Sequence, residues 1–118
     1  MISMREAYEK IGANYEDACA RLMGEEMLSR FALKFLDDES MDKLEAAMAA
    51  GDAEGAFMAA HTLKGVSQNL GFDNLYEPAV VVTEALRGAD AVDGARERMH
   101  ALQQQYAATL SALREAAE

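Results

Sequence analysis

A chain of 118 residues suffices for one domain whose core needs neither disulfide nor metal. Its 21 acidic side chains against 11 basic ones give a formal charge of −10, which argues against nucleic acid or an anionic membrane as a main partner. Proline occurs once, alanine, leucine, methionine and glutamate dominate, and β-branched residues gather only at Val80-Val81-Val82, so the expected class is all-α.

In chain order, residues 3–11 and 14–22 read as two short helices broken around Gly12-Ala13-Asn14, with Met4, Ala7, Tyr8, Ile11, Tyr15, Ala18 and Leu22 as apolar contacts. Gly24 closes this N-terminal cap. From Glu25 a long helix carries Leu28, Phe31, Phe35, Met41, Leu44 and Met48, interrupted at Asp37-Asp38-Glu39, where Ser40 marks a kink or a new cap. Gly51 then Asp52 is a helix stop followed by a start. The next helix runs from about Ala53 to Leu70 and ends at Gly71. Asp73 begins the following segment, but Pro78 has no N–H and clashes inside a regular helix. An irregular first turn is therefore expected, then helix from about Glu77 to Arg87, stopped by Gly88. The last helix, from about Val92 to Ala116, places Val92, Ala95, Met99, Leu102, Tyr106, Leu110 and Leu113 near heptad spacing. Connections this short make consecutive helices antiparallel neighbours. The architecture read is an up-and-down antiparallel four-helix bundle with short N-terminal helices: a single domain over 1–118, its core bundle at about 25–116 and its cap at 3–22.

Eight methionines read as core filler, and Cys19 as a small buried apolar group that suits a reducing compartment. No apolar stretch approaches the roughly 20 residues of a membrane span, so a soluble, cytoplasmic protein is expected. No second histidine or cysteine stands at i+3 or i+4 from His61, so no metal site is expected; no phosphate-binding glycine loop occurs, so no nucleotide cofactor and no autonomous ATP-dependent kinase activity is expected either.

His61 carries the functional argument. At about 100° per residue, Ala56, Ala59, Leu63, Val66 and Leu70 form an apolar stripe on the side opposite this histidine. Phe57, Met58, Lys64, Gly65 and Gln68 fall on its own side. A solvent-exposed imidazole is mostly neutral at neutral pH and offers a ring nitrogen as nucleophile toward phosphorus. Lys64, one turn along, can offset the charge of an arriving phosphoryl group. Glycine inside a helix costs roughly 1 kcal/mol relative to alanine, so Gly65 calls for a reason, and the reason read here is access for another protein. Phe57 and Met58 supply apolar surface for that partner. His100, off the apolar stripe and without such neighbours, reads as a solvated residue.

The string Ala60-His61-Thr62-Leu63-Lys64-Gly65, with Asn69-Leu70-Gly71 closing the helix and Ala49-Ala50-Gly51-Asp52 entering it, resembles the histidine-containing phosphotransfer (HPt) domains of multistep phosphorelays. The resemblance covers most of the chain, from about Glu25 to Ala116. It implies a monomeric or loosely associated phosphocarrier of two-component signal transduction that is phosphorylated on Nε2 of His61 and shuttles the group between response-regulator receiver domains. A hybrid histidine kinase is among the partners implied, and the Mg²⁺ is expected on the receiver. One departure is visible: the position 22 residues after the histidine, often a ring-holding glutamine in the family, is Thr83 here. Either the Thr83 hydroxyl substitutes or Gln68 orients the ring, and Arg87, one turn beyond Thr83, adds positive charge to the phosphoryl site. Two other readings stand beside the relay: an unphosphorylated helical module that binds or sequesters a receiver, and a separated phosphoacceptor domain loaded in trans by a histidine kinase.

Overall fold

Ser3 and Glu6 cap the first helix reciprocally: Glu6 N–H donates to the Ser3 hydroxyl at 3.1 Å, and Ser3 N–H to Glu6 Oε1 at 3.0 Å. The computed structural model describes residues 1–117. From this start α1 spans Met4–Ile11 and ends at Gly12 in the left-handed region; α2, Tyr15–Leu22, is capped by the Asn14 side chain. Then follow α3 (Glu25–Lys34), a 3-10 turn at Phe35–Asp37, α4 (Ser40–Ala50), α5 (Ala53–Asn69), α6 (Asp73–Leu86), a second 3-10 turn at Asp93–Arg98, and α7 (Met99–Ala117). No strand occurs among the described residues, and none of their helices is long and apolar enough to cross a membrane.

Helices α4, α5, α6 and α7 pack as consecutive neighbours, and Gln103 of α7 donates to Glu45 of α4 at 3.1 Å across the remaining side. The result is a helical bundle, with α3 laid against α7 and α2. Leu44, Leu63, Leu75, Val82, Leu102 and Leu113 are fully buried at its centre. On α5 the inward residues are mostly alanines, Ala53, Ala56, Ala59 and Ala60, with Leu63 and Ser67. Small side chains there let α4 and α6 approach α5 closely on both flanks.

Three expectations about the elements change. The long helix from Glu25 is two helices: Phe35 turns into the core at the break, and Asp38, rather than Ser40, supplies the cap by accepting from the Ser40 N–H at 2.9 Å. The irregular segment expected around Pro78 is regular helix, since α6 starts at Asp73 and runs through the proline. Leu75, Ala79 and Val82 anchor it in the core, while Asn74 Nδ2 donates to Gln105 and Thr109 of α7 at 2.9 and 3.0 Å. Those contacts hold the one turn that the missing N–H would loosen. The N-terminal part of the last helix is 3-10, and the three-residue spacing of buried Val92 and Ala95 matches that tighter turn. Side chains differ too. Only Met41, Met48 and Met99 are core residues and Met4 is partly buried, whereas Met1, Met23, Met27 and Met58 are exposed; Cys19 is half-buried.

The N-terminal helices close one end of the bundle. Tyr8 donates from its buried hydroxyl to the Leu70 carbonyl at 2.7 Å, and Asn14 N–H donates to the Gly71 carbonyl at 2.7 Å. Desolvation pushes the Tyr8 phenol well above its ordinary range, so this donor stays protonated. Around it, Tyr15, Tyr8, Phe72, Phe35 and Tyr106 pack ring to ring with centroids 5.3–5.9 Å apart. These contacts fix the C-terminal end of α5, two to three turns beyond His61.

Candidate functional site

Helix α5 starts where Asp52 accepts from the Gly55 N–H at 2.9 Å, and it ends at Gly71, whose φ is 69°. Between these two fixed ends the buried row Ala56, Ala59, Ala60, Leu63 and Ser67 sets the rotation of the helix. That rotation turns His61 outward, and its side chain is exposed. Thr62 back-bonds to the Met58 carbonyl at 3.0 Å, and His100 is exposed far along the chain on α7.

Among the described residues the His61 ring makes no hydrogen bond; it is held by stacking. Phe57, one turn earlier, lies nearly parallel to it, with centroids 5.9 Å apart and an interplanar angle of 20°. Phe57 is half-buried, packs against the core and forms a wall beside His61. An aromatic at i−4 on the same helix face is the sequence signal for this contact. On the α6 side, the Arg87 guanidinium at the end of that helix lies 5.1 Å from the Phe57 ring centroid. Phe57 thus stands between helices, touching both the histidine and the arginine.

Thr83 does not hold the imidazole. It is fully buried, and its hydroxyl donates to the Ala79 carbonyl of its own helix at 2.7 Å, so the proton is committed four residues back. Gln68 is exposed and makes no hydrogen bond to the ring. Neither polar candidate reaches His61, and the aromatic does. Lys64 is half-buried on the α6 side of α5 and forms no ion pair among the described residues, although its charge acts on Glu84. Glu84 was missed from the sequence. It binds Arg87 through Nε at 3.0 Å and Nη2 at 3.1 Å, and an acidic residue three before an arginine on a helix is the pattern that signals it.

Beside the histidine the surface is open. A Cβ built on Gly65 meets nothing within 4 Å, so no packing inside the chain requires glycine there. Met58 is 60% exposed on the adjoining side. No group of three or more metal-ligating side chains occurs among the described residues. The arrangement therefore presents one nucleophilic nitrogen on a helix, a flat apolar wall on one side, Lys64 and the Glu84–Arg87 ion pair toward α6, and room for a large body to approach.

The profile of the Hpt domain family matches residues 26–116. No curated protein and no solved structure gives a significant match.

Proposed function

Because the chain belongs to the Hpt domain family, and so to the phosphocarriers of histidine phosphotransfer in phosphorelays, we propose that His61 is its phosphoryl-accepting residue and that it shuttles the group between receiver-domain aspartates. The observation that carries this reading is the exposed imidazole at mid-helix, stacked on Phe57 and facing an open Gly65. In the forward step Nε2 of the neutral ring attacks phosphorus, a P–N bond forms, and the P–O bond to the donor aspartate breaks to leave its carboxylate. The ring proton stays on Nδ1, so no general base is needed. Transfer to the next receiver is the reverse of this step on a second aspartate. The receiver brings the acidic pocket and Mg²⁺ that clamp the group, and this chain brings the nucleophile and the charges of Lys64 and Arg87. It acts as a monomer in the cytoplasm.

Incubating the protein with a panel of phosphorylated receiver domains and following acid-labile, alkali-stable label tests the proposal. Label on His61 supports it; no transfer from any receiver favours a module that only binds receivers. Lys64→Ala is expected to slow transfer by about tenfold to a hundredfold without abolishing it, because one charge-assisted contact contributes about 1.5–3 kcal/mol. Wild-type transfer rates in that variant would remove Lys64 from the mechanism. Gly65→Gln is expected to weaken receiver binding by at least about tenfold while leaving the melting temperature unchanged or slightly raised, since the added side chain meets only solvent in the free protein. Titration calorimetry against a competent receiver reads this, and an unaltered affinity would contradict the approach over Gly65.

A further inference from the structure

Glu84 engages the positive side of the site with both of its oxygens. Arg87 Nε donates to Oε2 at 3.0 Å and Nη2 to Oε1 at 3.1 Å. The hydrogen bonds from Arg87 first, and the nearby charge of Lys64 after them, hold the Glu84 carboxyl below the usual carboxylate range. Through Arg87 over Phe57 and Phe57 against His61, the anion is joined to the imidazole by an unbroken chain of contacts between α6 and α5. Both members of the pair are about half exposed, at 54% and 55% of their side-chain surface, so the pair adds little to the stability of the fold. Its effect falls on the charge balance beside His61.

We infer that Glu84 occupies, in the unphosphorylated protein, the Arg87 guanidinium that the phosphoryl group takes up once it is on His61, and that it thereby sets how long the phosphohistidine lasts. The inference rests on the reading of His61 as phosphoryl acceptor. A phosphoryl group brings up to two negative charges and three acceptor oxygens against the single charge of a carboxylate, so it displaces Glu84 from Arg87. The displaced carboxylate stays nearby as a like charge. It raises the free energy of the phosphorylated state relative to the free one, which favours handing the group on over storing it. Glu84 is on this account a positioning residue that acts through Arg87.

Potassium phosphoramidate provides a receiver-free probe: its P–N bond breaks and ammonia departs as the P–N bond to His61 forms. Phosphohistidine half-lives are then read by phosphorus NMR in wild type, Glu84→Gln and Glu84→Asp. Glu84→Gln is expected to lengthen the half-life by about threefold to tenfold, the size of one charge acting on a dianion across a solvated gap, while Glu84→Asp stays within about twofold of wild type. Labelling wild type is also expected to shift the Arg87 Nε–H proton signal as its partner changes. An unchanged half-life in Glu84→Gln, or an unmoved Arg87 signal, would overturn the inference. Failure of every receiver to exchange with a chain that phosphoramidate labels would sink the relay reading and leave the half-life comparison standing. Absence of any label on His61 would overturn the acceptor reading itself.

Discussion

His61→Gln is expected to abolish phosphoryl acceptance, from receivers and from phosphoramidate alike, while the melting temperature falls by no more than about 6 °C. A carboxamide nitrogen is not a nucleophile toward phosphorus at neutral pH, and no other histidine shares the surroundings of His61: His100, the second of two in the chain, sits on α7 without a stacking aromatic among the described residues. The fold loses little because His61 is exposed and forms no hydrogen bond among the described residues; only the offset stack on Phe57 goes, at about 0.5–1.5 kcal/mol. Labelling followed by phosphopeptide mapping, beside a thermal melt of the same preparation, checks both halves. Residual label at wild-type level would move the acceptor elsewhere, and a melt lowered by about 10 °C would mean that the ring supports the fold.

The second large effect lies at the other end of α5 and is structural. Gly71→Ala is expected to destabilise the protein by about 2–4 kcal/mol and to lower the melting temperature by about 10 °C. Gly71 has a φ of 69°, where any Cβ is strained, at about 1 kcal/mol. The added Cβ would also lie 2.6 Å from the Asn14 carbonyl oxygen and 3.0 Å from the Ala18 Cβ. Asn14 cannot simply withdraw, since its N–H donates to the Gly71 carbonyl at 2.7 Å and its side chain caps α2. Relief therefore requires shifting the N-terminal helices off the bundle, which loosens the Tyr8 bond to the Leu70 carbonyl as well. Below its lowered melting temperature the variant should still accept label at His61, because the clash is confined to the helix end. A melting temperature within about 3 °C of wild type would show that the N-terminal helices are not seated as described.

The outward placement of His61 was legible because it depends on one helix only. Ala56, Ala59 and Leu63 recur at three and four residues, all are buried, and His61 must then face away. Gly51, Asp52 and Gly71 marked the ends of α5 for the same local reason, since backbone conformation and side-chain capping are settled within a few residues. Pro78 shows the limit of local reasoning. Its intrinsic cost predicted a break, but the buried Leu75, Ala79 and Val82 and the bonds from Asn74 to α7 keep the helix intact. Thr83 shows a different limit: counting 22 residues on from the histidine finds the position but not the direction of the side chain, and here it points into the core.

By itself, then, the sequence determined an all-helical chain, the ends of the histidine-bearing helix, the exposure of His61 and the company of Lys64 and Gly65, because each follows from periodicity and capping within a single element. Only the tertiary structure decided that the Glu84–Arg87 pair meets the aromatic beside the imidazole. The Phe57–His61 stack and the Glu84–Arg87 pair each lie on one helix face, whereas the contact that joins them, Arg87 over the Phe57 ring, arises from the packing of α6 beside α5. Such contacts between helices are set by the summed burial of many residues distant in sequence, a quantity that no local pattern contains.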